Sequence, residues 1–74
     1  MWKTGTLKEN GSEFEYWLKR FDEPSQYGIN GGRISKAMLK HNGKIVYNFD
    51  RGLDVAPADK DTETALAELL KIYN

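Results

Sequence analysis

Residues 27–36 read Tyr-Gly-Ile-Asn-Gly-Gly-Arg-Ile-Ser-Lys, three glycines followed by two bases and a hydroxyl. That composition could cradle a phosphate. A nucleotide-type phosphate loop needs G-x-x-x-x-G-K-[ST] between a strand and a helix, because the helix N-terminus supplies free amides and a favourable dipole. Here the spacing differs, and Arg33-Ile34-Ser35 continues as a strand. The expectation is therefore a long connection over residues 22–32, begun by Pro24 and anchored to the core by Tyr27 and Ile29, in which glycine permits positive φ or close packing. The chemistry left to such a loop is an anion held by the amides of Gly28, Gly31 and Gly32 together with Arg33.

Other reactive groups are sparse. His41 is the single histidine, and no serine or cysteine nucleophile accompanies it. Asn48, Asp50 and Asp54 resemble a calcium loop only loosely, since the closing glutamate and the full run of oxygen ligands are missing. Carboxylates on a small open sheet lack the enclosed pocket that tunes a group for acid or base work. No catalytic residue, metal or cofactor is expected, and the chain reads as a non-enzyme.

Chain length and composition restrict the elements that position these residues. Seventy-four residues make a single domain over 1–74, and at this size folding removes only about 60% of the unfolded chain's surface from water. A partner that completes the core is thus plausible physics. The absence of cysteine fits a reducing compartment. No run looks like a signal peptide or a membrane span, so a cytoplasmic protein that avoids the membrane is expected. Eleven bases balance eleven acids, leaving no global field to steer the protein onto nucleic acid. The charge is segregated, however: residues 33–51 carry five bases against Asp50 alone.

Asn-Gly dipeptides at 10–11 and 42–43 punctuate alternating segments, and Asn-Gly supplies the two positive-φ residues of a type I′ hairpin turn. Around Asn10-Gly11, Leu7 falls opposite Phe14, Gly5 opposite Tyr16 and Lys3 opposite Leu18. One face then collects Leu7, Phe14, Tyr16 and Leu18, while Lys8–Glu13, Thr6–Glu15 and Trp2–Lys19 pair on the other. Around Asn42-Gly43 a regular register sets Leu39 opposite Val46, Met38 opposite Tyr47, Lys36 opposite Phe49 and Ser35 opposite Asp50. The last segment is an amphipathic helix capped by Asp59 or Asp61, with Thr62, Ala65, Leu66, Leu69, Leu70 and Tyr73 in one stripe. The expected architecture is α+β: a four-stranded antiparallel sheet from two hairpins, followed by one C-terminal helix packed on one face.

The runs Gly-Ile-Asn-Gly-Gly-Arg-Ile-Ser-Lys and Asn-Phe-Asp-Arg-Gly-Leu-Asp, followed by an amphipathic helix, resemble a family of short uncharacterised proteins of Gram-positive bacteria, their phages and mobile elements. The family core runs Gly-Ile-x-Gly-Gly-Arg-Ile-Ser-Lys and then aromatic-Asp-Arg-Gly. The resemblance spans about residues 27–73 and matches Gly28, Gly31, Gly32, Arg33, Ser35, Lys36, Asp50, Arg51 and Gly52, with Leu53 where the family carries an aromatic. It implies a domain of unknown function without an assigned activity. In the register above, Asp50 lies across from Ser35 and diagonal to Arg33, so these three form an expected structural pairing.

One helix covers one face of a sheet, yet apolar residues lie on both sides of the second hairpin. A mid-strand lysine avoids burial, which sends Lys36 outward and Ala37, Leu39 and Val46 under the helix. The exposed face would then hold Lys36, Met38, Tyr47, Phe49 and Arg51, with Trp17 beside them. Aromatic and methionine side chains anchor protein interfaces, so the first reading is an interaction module that binds a protein partner or forms a homodimer through this face or a sheet edge. The alternative is single-stranded nucleic acid, its bases stacked on Tyr47 and Phe49 and its backbone followed by Lys36, Lys40, Arg33 and Arg51. The order of two hairpins and then a helix is similar to that of single-stranded-DNA-binding transcriptional coactivators.

Overall fold

A computed structural model describes residues 1–74. Five antiparallel strands follow one another in spatial order: β1 (Trp2–Glu9), β2 (Ser12–Arg20), β3 (Ile34–His41), β4 (Lys44–Asp50) and β5 (Leu53–Val55). A helix, α1 (Lys60–Tyr73), lies across one face. The α+β class and the two hairpins are as the sequence implies, and the sheet has one strand more.

The first hairpin follows the expected register at every pair from Trp2↔Lys19 to Glu9↔Ser12. Its turn is set by Asn10 and Gly11 at φ 50° and 80°. Asn42 and Gly43 repeat this at 51° and 76°, and Asn30-Gly31 repeats it again at 53° and 69° inside a single 3₁₀ turn, Ile29–Gly31. Gly5 faces Tyr16 across the β1–β2 ladder. A β-carbon on Gly5 would meet the Tyr16 ring at 2.7–3.0 Å, so this position takes glycine in order to seat the tyrosine.

The second hairpin departs from the regular register. His41↔Lys44 and Lys40↔Ile45 pair as expected, but Leu39 then pairs with Tyr47, leaving Val46 as an extra residue in β4. Such a bulge resets the two-residue alternation of everything beyond it. Tyr47 and Phe49 consequently turn to the helix side beside Leu39 and Ala37, whereas Asn48 and Asp50 turn outward beside Met38 and Lys36. Tyr47 keeps only 2% of its surface exposed and Phe49 packs against the same core. The placement of both aromatics on the outer face is therefore corrected by one residue of slip. Ala37, Leu39 and Val46 are buried, as their assignment to the core requires.

The fifth strand comes from the Asp50-Arg51-Gly52 segment. Arg51 adopts φ 58° and its amide donates to the carbonyl of Ser35 (3.0 Å), and the chain reverses to pair Phe49 with Leu53 and Asn48 with Val55. Nothing in the alternation of a three-residue exposed strand announces it. Arg51 belongs to this turn, not to the sheet face.

The core joins Phe14, Leu18, Ile34, Leu39 and Tyr47 of the sheet to Ala65 and Leu69 of α1. Asp59 caps the helix: its Oδ1 accepts from the Thr62 amide (2.8 Å) and hydroxyl (2.7 Å). Asp61 instead accepts from Asn10 Nδ2 (2.9 Å), fastening the helix start to the first turn. At the other end Arg20 Nε donates to the carbonyl of Tyr73 (2.7 Å), a cation on helix carbonyls where the dipole favours it. The Asn74 side chain accepts from the Ile34 amide (3.0 Å) and donates to the Ile29 carbonyl (3.1 Å), locking helix end to loop.

Candidate interaction surface

The face turned away from α1 is built by alternation. Successive side chains of a strand point to opposite sides, so Leu7, Phe14, Tyr16, Leu18, Ala37 and Leu39 on the helix side oblige Thr4, Thr6, Glu15, Trp17, Lys19, Lys36, Met38 and Lys40 to face outward. None of these eight is buried.

An aromatic cluster occupies one half of this face. Trp2 is diagonal to Trp17 across the β1–β2 ladder, within reach for long side chains, and the two indoles stack with centroids 4.5 Å apart and planes 25° from parallel. The Lys19 ammonium lies 5.3 Å from the centroids of both Trp2 and Phe21, a cation held over two π faces. Trp2, Trp17 and Phe21 remain 47%, 38% and 45% exposed. Met38 sits directly across from Trp17. Toward the turns, an open hollow of about 580 Å³ is lined by Thr4, Thr6, Glu15, Trp17, Met38 and Lys40.

The charges form a mixed array. Lys36 Nζ lies 3.6 Å from Asp50 Oδ1, the pair that the bulge brings opposite one another. Glu13 and Glu15 separate Lys8 from Lys40. Lys36 and Asp50 are both partly exposed, so their attraction contributes little stability; it fixes the direction of both side chains.

Of the residues singled out from sequence, Trp17, Lys36 and Met38 come together on this face. Tyr47 and Phe49 do not; they line a helix-side groove of about 320 Å³ with Leu53, Pro57, Leu66 and Leu70. Trp2 and Phe21 join the cluster without having been assigned to it. The signal for Trp2 lay in the first hairpin, where its diagonal relation to Trp17 follows from the same turn that sets the register.

The glycine loop is closed on itself. Gly28 donates to the Ser25 carbonyl, Gly31 to Gly28 and Gly32 to Ile29, at 2.9–3.0 Å, and Ser25 donates back to Gly32. With these amides already engaged, the expectation of an anion held by Gly28, Gly31, Gly32 and Arg33 is corrected to a self-satisfied turn. A β-carbon on Gly28 would strike the Gly32 carbonyl, so close packing is what glycine provides there. Of the two anchors, Ile29 is buried while Tyr27 is exposed. The pairing of Asp50 with Ser35 and Arg33 also yields to the bulge: Asp50 meets Lys36, and Ser35 is buried with its carbonyl bonded to Arg51.

Ionisation is perturbed at three groups, all in the core or cap. The Tyr16 hydroxyl is raised chiefly by its 2.9 Å hydrogen bond to the Tyr73 hydroxyl, then by burial. Burial raises Tyr47. Asp59 is lowered by the Thr62 amide and hydroxyl that it accepts from. No three histidine, aspartate or glutamate side chains gather to hold a metal ion. Asn48 Nδ2 donates to Asp54 Oδ2 (3.1 Å), which uses two of the supposed calcium ligands on each other. His41 Nδ1–H donates to the Glu13 carbonyl (2.9 Å), tying the two hairpins together.

A family model described as a domain of unknown function, DUF7678, matches residues 1–74. The chain belongs to the DUF7678 family. The match extends over the first hairpin as well as the 27–73 region whose motifs suggested a family of this kind, so the strands carrying Trp2 and Trp17 are part of the DUF7678 domain. No curated protein and no solved structure matches the chain. No helix of the DUF7678 domain is long and apolar enough to cross a membrane.

Proposed function

We propose that this domain is a non-catalytic interaction module that docks on protein through the sheet face opposite α1. The supporting observation is the exposed Trp2–Trp17 stack with Met38 and Phe21 beside it. Tryptophan and methionine are enriched at protein interfaces, and a marginal 74-residue fold gains from covering such a patch. A cytoplasmic setting is compatible with a chain that has no cysteine. The reading as a non-enzyme rests on the shallow, open form of the face and the engaged state of the loop amides.

Single-stranded nucleic acid is less favoured, because Tyr47 and Phe49 are withdrawn to the core and Glu13, Glu15 and Asp50 interrupt the lysines. Photo-crosslinking in the native cell tests the docking reading. Benzoylphenylalanine replacing Trp17 should give a defined protein adduct, whereas the same group replacing the exposed helix residue Glu63 should give none. Absence of any protein adduct from position 17, or equal labelling from both positions, overturns it.

A further inference from the structure

The docking face has a symmetry that identifies an occupant. Between β2 and β3, outward residues stand in three rows: Glu15 beside Lys40, Trp17 beside Met38, and Lys19 beside Lys36. Each of the first two rows joins unlike and complementary groups, acid with base and large aromatic with flexible thioether. A face whose neighbouring columns complement each other also complements its own copy, turned about an axis that runs parallel to the strands between those columns. An isologous two-fold interface requires this property.

We propose that the occupant of the open face is a second copy of this chain, the two sheets packing face to face about a two-fold axis parallel to β2 and β3 and midway between them. This inference rests on the docking reading above and names its partner. Aligned sheets pack about 10 Å apart, a gap that side chains from both faces fill. In this arrangement β2 lies over the partner's β3 and β1 over its β4, so all four long strands are covered. Trp17 meets the partner's Met38, a sulfur–aromatic contact, and Glu15 meets the partner's Lys40. Thr4 of β1 lies over the partner's Asn48, polar on polar.

The third row sets Lys19 over the partner's Lys36, like charge on like. Their observed directions resolve the conflict. Lys19 leans toward β1 over the Trp2 and Phe21 rings, and Lys36 leans toward β4 to reach Asp50. Because β1 of one copy overlies β4 of the other, Lys19 is carried toward the partner's Asp50. A transverse axis through the middle row would set Trp17 on Trp17 and Met38 on Met38, losing the sulfur–aromatic contact, and would set Lys40 over the partner's Lys36, like charge on like. The two longest extents of the domain, 33 Å and 20 Å, bound the covered area at on the order of 600 Å² per copy, or about 1,200 Å² for the pair, just over the roughly 1,000 Å² total that a specific interface needs.

Sedimentation velocity tests this from about 1 to about 500 µM, a range that brackets the affinities of small interfaces. The natural chain should pass from monomer to dimer. Glu15→Lys alone and Lys40→Glu alone should each weaken dimerisation at least about tenfold, and the double reversal should restore it to within about threefold, because it preserves complementarity across the axis. Circular dichroism establishes that each variant folds; both positions lie outside the core. A monomer at every concentration overturns the second copy as occupant, as does a dimer indifferent to all three variants. Crosslinking from position 17 to a different protein, with the chain monomeric throughout, would retain the docking reading and reject this one; failure of both would remove both.

Discussion

The one-residue bulge at Val46 decides which aromatic side chains are core and which are surface, so paired substitutions at Tyr47 and Met38 read it out. In the structure Tyr47 is 2% exposed against α1, and Met38 is half-buried on the opposite face. Replacing a fully buried aromatic ring by alanine costs about 3–5 kcal/mol. A 74-residue domain has a total stability of roughly 4–11 kcal/mol, so Tyr47→Ala removes a large part of it. With a urea slope near 1 kcal/mol per molar, the midpoint falls by about 3 M or the chain unfolds outright. Tyr47→Phe keeps the ring and should cost under about 1 kcal/mol. Met38→Ser forfeits only contacts on an open face, again under about 1 kcal/mol. Urea titrations followed by far-ultraviolet circular dichroism, at concentrations low enough to keep the chain monomeric, measure all three. A regular register would put Tyr47 opposite Met38 on the outer face. Near-natural stability of Tyr47→Ala, or collapse of Met38→Ser, would refute the bulge and the face assignment together.

Arg51 holds a left-handed backbone at φ 58°, which costs a residue with a β-carbon about 1 kcal/mol; Arg51→Asn should therefore raise the melting temperature by a few degrees, and a lower value would contradict the strain. Gly28→Ala drives a β-carbon into the Gly32 carbonyl and should cost about 1–3 kcal/mol in the same urea assay, against no change if the loop is loose. Alkaline stability follows from Tyr16 and Tyr47, both raised above the ordinary tyrosine value. Each contributes stability that is complete below about pH 10 and lost as pH rises through its folded-state value, because the unfolded chain ionises first. The urea midpoint should fall as pH rises above about 10, and the Tyr16→Phe/Tyr47→Phe variant should flatten that fall; an unchanged slope in the variant would contradict the assignment.

Most of the architecture follows from local chemistry. Asn10-Gly11 fixes the first hairpin pair by pair, since turn geometry and cross-strand chemistry agree there. The helix stripe and the Asp59 cap are equally direct. The second hairpin defeats the same reasoning because Ile45-Val46-Tyr47 is a continuous apolar run, and alternation cannot show where an extra residue sits within it. Pairing chemistry held a clue: one residue of slip replaces Lys36 opposite Phe49 with Lys36 opposite Asp50, and brings small Ala37 opposite large Phe49. Asn30-Gly31 carries the same dihedral preference as the hairpin turns, yet it serves a loop whose amides close on one another. The aromatic face was legible in part. Trp17, Met38 and Lys36 follow from strand alternation, whereas Trp2 and Phe21 lie near strand ends, where stacking and the Lys19 ammonium bring them in.

Both tryptophans of the chain, Trp2 and Trp17, lie on the open face, so their fluorescence reports on that face alone. Acrylamide quenching of the dilute monomer measures whether the chain itself covers them. With Trp2 and Trp17 47% and 38% exposed and stacked on one another, their emission should be substantially quenched under native conditions and further quenched in urea, where both rings are fully open to solvent. Blue-shifted emission that resists quenching until the monomer unfolds would mean the chain shields this face itself, contradicting the claim that α1 leaves it bare.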